Sequence, residues 1–309
     1  MGVLTKKRMA PGWSRHLCCF AKEVAICLVM CTVSVPAFGI AITNISDPLY
    51  ITGNSNYTGV TEIFFNYDGQ PGTFLCSGSL ISDYQILTAG HCVSGAKNWA
   101  VTFQTPSGAT TLGVTEARVH PDFGPRPTPY GQLDQYDVAI LTLAAMAPSD
   151  ADRYALTTSI DGALADSLID IVGFGVGGSA ATGVQPLGVR RHAVNTIDSI
   201  SLYPFPDSPL EMSMRFGAEP GNYGLVNSGD SGGPAFFNGR IIGVGSFGNL
   251  PGAGAFSTTF TYTTGHTSLL DATTGSWVAD SLSPEPGTVA LFATGLIGLV
   301  LFGRRRKSS

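Results

Sequence analysis

Short runs of β-branched and aromatic residues recur through the middle of the chain, and Gly, Pro, Asn and Asp separate them. Each run has the length of a strand, and the turn residues between runs interrupt any longer periodic pattern. This spacing predicts an all-β fold, either a sandwich or a barrel. A helical pattern appears only over residues 268–282, where Leu269, Leu270, Trp277 and Val278 would share one face. The candidate strands are residues 62–67, 74–81, 99–104, 138–143, 168–174, 190–197 and 240–247.

The N-terminal segment has the composition of a secretory signal. Basic residues precede an apolar run over residues 24–35, and Val35-Pro36-Ala37 puts small residues at positions −3 and −1 of a cut after Ala37. The run is too short for an ordinary transmembrane helix. We therefore expect residues 1–37 to be a signal peptide removed by signal peptidase, with Met9 as an alternative start.

The C-terminal segment combines Pro284-Glu285-Pro286, an uncharged apolar stretch over residues 288–302, and a basic cluster over residues 304–307. At about 1.5 Å per residue the stretch barely spans a bilayer core of about 30 Å. A plain membrane anchor or an amphipathic tail would also fit. The three parts together resemble the PEP-CTERM sorting signal of Gram-negative bacteria. That resemblance implies a transient membrane helix in residues 283–309, recognised and removed by a membrane-embedded exosortase.

Residues 38–282 remain as one domain, and this domain is acidic. It holds eight Lys/Arg and 20 Asp/Glu, a net charge of −12. Such a charge repels phosphate backbones, so we expect no nucleic-acid partner. The sequence contains no metal-ligand cluster, phosphate-binding loop or dinucleotide fingerprint, so we also expect no metal or cofactor.

Two of the six cysteines, Cys76 and Cys92, lie in this domain, and the other four lie in the leader. A single pair of cysteines in an exported domain, with no Cys/His cluster beside it, predicts a disulfide rather than a metal site. This disulfide would clamp the loop that carries His91, which follows an apolar strand in Leu87-Thr88-Ala89-Gly90-His91-Cys92.

The most specific motif is Asn227-Ser228-Gly229-Asp230-Ser231-Gly232-Gly233-Pro234. A serine hydroxyl is a weak nucleophile that needs a base. The anion formed by its attack needs backbone N–H donors, and flanking glycines allow the backbone to present them. Ser231 is therefore the candidate nucleophile.

An acid that opens a buried strand would be destabilising unless it is paired, and Asp137 opens the apolar run 138–143. Pairing with a histidine would fix the tautomer of the imidazole and stabilise its protonated form. The alternatives Asp122 and Asp134 lack a following apolar run.

These segments, in the order His91, Asp137, Ser231, resemble the trypsin/chymotrypsin family of serine endopeptidases from about residue 76 to residue 277. The resemblance implies two six-stranded antiparallel barrels, with a catalytic triad formed by the three residues in the cleft between them. It also implies that His120, in Val119-His120-Pro121, is structural.

The same resemblance implies supporting roles. The N–H groups of Gly229 and Ser231 would form the oxyanion hole, and Ser246 would hydrogen-bond Asp137. Asp230 would pair with a newly exposed N-terminal ammonium group. No Lys or Arg lies between Lys22 and Lys97, so a trypsin-type activating cut is excluded there. The new N-terminus would instead arise near Phe38 or near residues 50–51.

The primary specificity pocket departs from that of trypsin itself. Leu225 stands six residues before the nucleophile, where an acid would favour Arg or Lys. Leu225 would line the pocket, and Gly248 and Gly254 would keep it open, so we expect cleavage after apolar or small residues. The sequence thus predicts an exported serine endopeptidase acting on proteins or peptides. A proteolytically silent binding protein on the same scaffold is the alternative, and the chain order argues against an esterase of the α/β-hydrolase type.

Overall fold

The computed structural model describes residues 40–42, 50–128, 131–157, 164–179, 183–202, 210–215, 224–249, 264–270 and 272–282. Within these ranges strands predominate, and the helices are a 3-10 turn (Gly90–Cys92) and α1 (Ala272–Leu282). The predicted all-β class with little helix is therefore confirmed. The strands are β1 (Ala41–Ile42), β2 (Val60–Tyr67), β3 (Phe74–Leu80), β4 (Gln85–Thr88), β5 (Ala96–Thr105), β6 (Gly108–Val119), β7 (Gly124–Thr128), β8 (Gly131–Gln135), β9 (Ala139–Leu143), β10 (Leu168–Gly173), β11 (Gly177–Ser179), β12 (Gly183–Gln185), β13 (Arg191–Leu202), β14 (Leu210–Arg215), β15 (Gly224–Leu225), β16 (Pro234–Phe237), β17 (Arg240–Asn249) and β18 (Thr264–Leu269).

The first barrel closes in the strand order β2-β3-β4-β9-β6-β5, with antiparallel pairing. Its interior follows from alternation along the strands, because successive side chains point to opposite faces. In β5, for example, Val101, Phe103 and Thr105 are buried, while the residues between them are half-buried. Full burial of each large apolar side chain stabilises the fold by about 1.5–3 kcal/mol.

The second barrel closes in the order β10-β13-β14-β18-β17-β16. Ile169 and Ile171 of β10 face Ala193 and Ile197 of β13 and Ile242 of β17 in one apolar cluster. A smaller sheet has the strand order β12-β11-β1-β15, in which β1 pairs with β11 and β15.

A third apolar cluster joins the two barrels. Its members come from both, and include Val60, Leu87 and Ile140 from the first barrel and Val172 and Phe236 from the second. Since these side chains are buried against one another, the two barrels share a packed interface.

Arg190 is the largest fully buried side chain of this interface. Its guanidinium donates hydrogen bonds to Thr52 Oγ1 at 3.0 Å, Gln104 O at 3.0 Å and Gly53 O at 2.6 Å. It lies over the ring of Phe174, 5.6 Å from the centroid. A buried cation is tolerated here because its donors are satisfied.

Helix α1 packs on the first barrel through its C-terminal end. Gln85 Nε2 and Arg118 Nη2 both donate to the carbonyl oxygen of Ser281, at 2.9 and 3.0 Å. These bonds satisfy a carbonyl that has no partner within the helix.

Two local predictions need correction. Residues 124–132, whose Gly- and Pro-rich sequence predicts a rigid surface loop, are largely the hairpin β7–β8. Both strands of a two-stranded sheet are edges, where proline is tolerated. The expected helix over residues 268–282 begins only at Ala272, because Ser268 and Leu269 pair with β17 and close the second barrel.

The predicted signal peptide and the predicted apolar tail lie outside the described residues. Among the helices that the structure describes, none has the length and apolar character needed to cross a bilayer.

Candidate active site

His91 lies in the 3-10 turn that follows β4. The predicted disulfide between Cys76 and Cys92 is present, and it ties this turn to β3. Gly90 packs directly on Phe123, since a Cβ at residue 90 would lie 2.7 Å from that ring. Tyr67 Oη donates to the carbonyl oxygen of His91 at 2.8 Å. The backbone around the imidazole is thus held from three sides.

Asp137 accepts two hydrogen bonds from His91. The backbone N–H of His91 lies 2.8 Å from Oδ1, and its Nδ1 lies 2.7 Å from Oδ2. An ionised carboxylate can only accept, so the proton of the neutral imidazole sits on Nδ1. Nε2 is then left as the basic nitrogen.

The environment of Asp137 favours its charged form. The side chain is 1% exposed, and Ser246 Oγ donates to Oδ2 at 2.5 Å. Burial alone would raise the pKa of Asp137. The charge of His91 and the hydrogen bonds from His91 and Ser246 outweigh it and hold the pKa below its usual range. The predicted contact between Ser246 and Asp137 is therefore present in the structure.

The loop before β16 needs its glycines for conformation and for space. Gly229 and Gly232 have φ values of +92° and +79°, in the left-handed region. A Cβ at Gly232 would also lie 2.1 Å from Thr88 Oγ1. These constraints position Ser231 between the two glycines on a tight turn against the first barrel.

Ser77 of β3 holds this loop through hydrogen bonds, a role that was not predicted from the sequence. Its N–H donates to the carbonyl oxygen of Ser231 at 2.8 Å, and its Oγ donates to the carbonyl oxygen of Gly229 at 2.8 Å. The N–H of Phe174 in turn donates to Ser77 Oγ at 3.0 Å. The only sequence signal was a small polar residue beside Cys76 in an apolar strand.

The disulfide lies next to both the candidate nucleophile and the candidate base. Sγ of Cys92 lies 3.8 Å from the carbonyl oxygen of Ser231 and within 4.8 Å of a ring nitrogen of His91. The sulfurs of Cys76 and Cys92 are bonded to each other, so they are not thiolate ligands for a metal at this position. The backbone of Ser231, which precedes β16 of the second barrel, thus lies close to the His91–Asp137 pair of the first barrel.

Asp230 is fully buried in a cradle of backbone. Its Oδ1 accepts the N–H of Gly175 at 2.8 Å, and its Oδ2 accepts the N–H of Asn227 at 3.1 Å. The N–H of Ile40 also hydrogen-bonds the carboxylate. Burial raises the pKa of Asp230 to about 7, although these hydrogen bonds and the charge of Arg191 act to lower it.

The other predicted residues have varied surroundings. Leu225 is fully buried in the apolar cluster of the second barrel, and its backbone pairs with Ala41. Gly248 lies in β17, while Gly254 lies outside the described residues. His120 stacks on Tyr136, with ring centroids 4.7 Å apart.

Two more observations bear on the sequence alternatives. His120 also meets Trp277 of α1 edge to face at 5.0 Å, which supports its structural interpretation. Asp122 is exposed, whereas Asp137 is buried against His91.

Replacing both Cys76 and Cys92 by serine should lower the free energy of unfolding by about 3 kcal/mol. The disulfide closes a loop with a sequence separation of 16, and its loss returns that loop's entropy to the unfolded chain. Urea denaturation of the two proteins measures the change. An unchanged midpoint would contradict a stabilising role.

Comparisons with known proteins agree with this geometry. The Trypsin family model matches residues 51–269, and a PEP-CTERM protein-sorting motif matches residues 284–307. Alkaline trypsin C of Manduca sexta is 27% identical over 237 residues, covering 70% of this chain and 90% of that protein. A trypsin of Saccharopolyspora erythraea is 29% identical over 191 residues, covering 59% of this chain and 77% of the relative.

Solved structures show the same fold. Neuropsin, a serine protease expressed in the limbic system of mouse brain, has a TM-score of 0.56 at 17% identity, covering 76% of this chain and 98% of that one. A scabies mite inactivated protease paralogue has a TM-score of 0.55 at 17% identity, with coverages of 75% and 97%. With the family model matching more than half of its length, this chain belongs to the trypsin family.

Proposed function

We propose that the chain is an exported serine endopeptidase that hydrolyses peptide bonds through an acyl-enzyme on Ser231. The observation that carries this proposal is the pairing of His91 with the buried Asp137, beside the loop that holds Ser231. A base with an ionised partner on one ring nitrogen and a basic second nitrogen is what a serine nucleophile requires.

The reaction would proceed in two halves. Ser231 Oγ attacks the scissile carbonyl carbon while Nε2 of His91 takes the hydroxyl proton. The C–N bond then breaks as His91 gives that proton to the leaving amine, which leaves an ester on Ser231. Water then attacks the ester carbonyl carbon while His91 takes its proton. The C–O bond to Ser231 breaks as His91 gives that proton to the serine oxygen, which releases the acid and restores the hydroxyl. Asp137 stays ionised and stabilises the imidazolium in both halves.

The oxyanion formed in each half would bind the N–H groups of Gly229 and Ser231. Ser77 supports this assignment, because it holds the carbonyl oxygens of both residues and so fixes the orientation of the turn. Donors oriented before the reaction need no reorganisation in the transition state.

Casein digestion by the protein tests the activity. We expect internal cleavage, with peptide products identified by mass spectrometry, inhibition by a sulfonyl fluoride and no effect of a metal chelator. The scabies mite relative is described as an inactivated paralogue, so the fold alone does not establish catalysis. Intact casein after incubation would favour the silent binding scaffold instead.

The specificity pocket is proposed to accept an apolar or small side chain on the acyl side of the scissile bond. No acid stands at Leu225, which is buried among apolar side chains, so a cationic substrate group would lack a counter-charge there. A panel of chromogenic peptides ending in Arg, Phe, Leu or Ala measures this preference. We expect Phe, Leu or Ala to exceed Arg by at least about tenfold in kcat/KM. Fastest turnover of the Arg peptide would refute the assignment.

The ends of the chain are proposed to direct its export. Residues 1–37 would act as the signal peptide, with residues 38–282 as the protease domain. The sorting motif at residues 284–307 supports processing by an exosortase and a surface form anchored to the membrane in a Gram-negative bacterium. Pro284, Glu285 and Pro286 would be its recognition residues.

The mature N-terminus is proposed to lie near Phe38 rather than near residues 50–51. Ile40 already reaches Asp230 through its backbone N–H, and Tyr50 Oη donates to the carbonyl oxygen of Ile40 at 2.9 Å. A cut at residues 50–51 would sever the segment that supplies these contacts.

A further inference from the structure

Asp230 presents an electrostatic problem in a chain that begins at Phe38. Such a chain keeps two residues ahead of Ile40, so the group beside Asp230 is a neutral amide and not an ammonium group. The buried carboxylate then accepts three backbone N–H bonds and lacks a terminal cation. A buried charge without a compensating charge is strongly unfavourable, even when it is hydrogen-bonded.

Arg191 supplies a cation in the same region. It opens β13 and is 2% exposed. Its Nη1 donates to the carbonyl oxygen of Gly175 at 2.9 Å, and the N–H of Gly175 donates to Asp230 Oδ1 at 2.8 Å. Gly175 thus bridges the guanidinium of Arg191 and the carboxylate of Asp230 through its carbonyl oxygen and its N–H.

The guanidinium is fixed in place by its surroundings. It also donates to Pro186 O at 3.0 Å and Val189 O at 3.2 Å. A Cβ at Gly177 would lie 2.2 Å from Nε of Arg191, so the absence of a side chain there makes room for the cation. These contacts hold the positive charge close to Asp230 and away from solvent, where screening is weak.

Among the described residues, the charged and titratable groups that act on Asp230 are Arg191 of β13 and Tyr50 of the segment before β2. Tyr50 is neutral near pH 7, and its hydroxyl accepts the N–H of Gly178 at 2.8 Å. Arg191 is therefore the permanent positive charge of this cluster.

We propose that Arg191 is a positioning residue whose buried charge holds the Asp230 carboxylate, and with it the Gly229–Ser231 turn, in the reactive arrangement without an N-terminal ammonium group. The inference rests on the proposed serine endopeptidase function. It follows that the protein is active with residues still present ahead of Ile40, and that its activation needs no separate protease.

The test uses the exported protein, a fluorophosphonate probe and intact-mass spectrometry. The rate of phosphonylation depends on the oxyanion hole. Burial already places the pKa of Asp230 at about 7, so loss of the Arg191 charge should raise that pKa further. For Arg191→Gln we expect labelling at pH 7 to fall at least about tenfold and to recover by about pH 9. Arg191→Lys keeps the charge and should stay within about fivefold of the wild type.

Arg190→Gln is the matched control. Arg190 is equally buried and adjacent in sequence, but its hydrogen bonds run to the interface between the barrels. Both glutamine variants should lose thermal stability, whereas only Arg191→Gln should shift the pH profile of labelling. If both glutamine variants lost stability and neither shifted the pH profile of labelling, Arg191 would have only a structural role. That result would overturn the proposal.

The intact masses also give the N-terminus of each labelled molecule. We expect labelled wild-type molecules that begin ahead of Ile40. Labelling confined to molecules that begin at Ile40 would show that the ammonium is required and would overturn the inference while leaving the endopeptidase intact. No labelling of the wild type under any condition would overturn the proposed function itself, and this inference with it.

Discussion

Replacing Ser231 by alanine should lower kcat for peptide hydrolysis by a factor on the order of 10⁶. The variant keeps the loop, the disulfide and the oxyanion donors, but it loses the oxygen that forms the acyl-enzyme. KM should change little, because the hydroxyl contributes little to binding the ground state. Steady-state rates on a chromogenic peptide measure the effect, with the thermal unfolding of both proteins compared.

Ser228→Ala is the matched control for this change. Ser228 lies in the same loop, three residues earlier, and is exposed. Its replacement should leave kcat within about twofold of the wild type. If Ser228→Ala abolished the activity as well, or if Ser231→Ala retained a tenth of it, Ser231 would not be the nucleophile.

Replacing Asp137 by asparagine should lower kcat at neutral pH by about 10⁴-fold, which is the size of this change in the trypsin family. The asparagine amide can donate to Nδ1 of His91, so the imidazole proton moves to Nε2 and the basic nitrogen faces the wrong way. The side chain of asparagine has nearly the same volume as that of aspartate, so the fold should persist. Rates should be compared with those of Asp122→Asn, which removes an exposed carboxylate.

The same variant has a signature in the pH dependence of stability. The pKa of Asp137 is lowered on folding, so its ionised form stabilises the protein above the unfolded value near pH 4. That stabilisation is lost as the pH falls through the folded value, and Asp137→Asn should remove it. Denaturation curves between pH 2 and pH 6 measure the free energy of unfolding of both proteins. If that free energy fell in parallel in the wild type and the variant as the pH decreased, the assignment would be contradicted.

Asp230 should behave in the opposite way. Its pKa is raised to about 7, so the folded protein binds a proton that the unfolded chain has released. Its contribution to stability is therefore fully present below about pH 4 and is lost as the pH rises to about 7.

The candidate site residues could be proposed from the sequence because short motifs mark them locally. Gly229 and Gly232 flank Ser231 in a turn that needs positive φ, and this requirement is visible as residue type. Asp137 stood out because an acid beside a buried strand needs a partner. The pairing of Cys76 with Cys92 followed from the absence of other cysteines in the domain.

The supporting contacts were not predictable, because they join residues far apart in the chain. Ser77 reaches Gly229 across 152 positions, and no local pattern marks a serine in a strand as a clamp. Arg191 resembles any basic residue in the sequence, and only the fold buries it near Asp230. The late start of α1 has the same origin, because barrel closure recruits Ser268 into a strand against its local helical pattern.

Locating the covalent adduct identifies the nucleophile of the proposed endopeptidase most directly. The exported protein would be treated with a fluorophosphonate, digested and sequenced by mass spectrometry, with Ser231→Ala treated in parallel. We expect one phosphonyl group per molecule, attached to Ser231, and no adduct in the variant. An adduct on another residue, or none in an intact, folded wild type, would contradict this expectation.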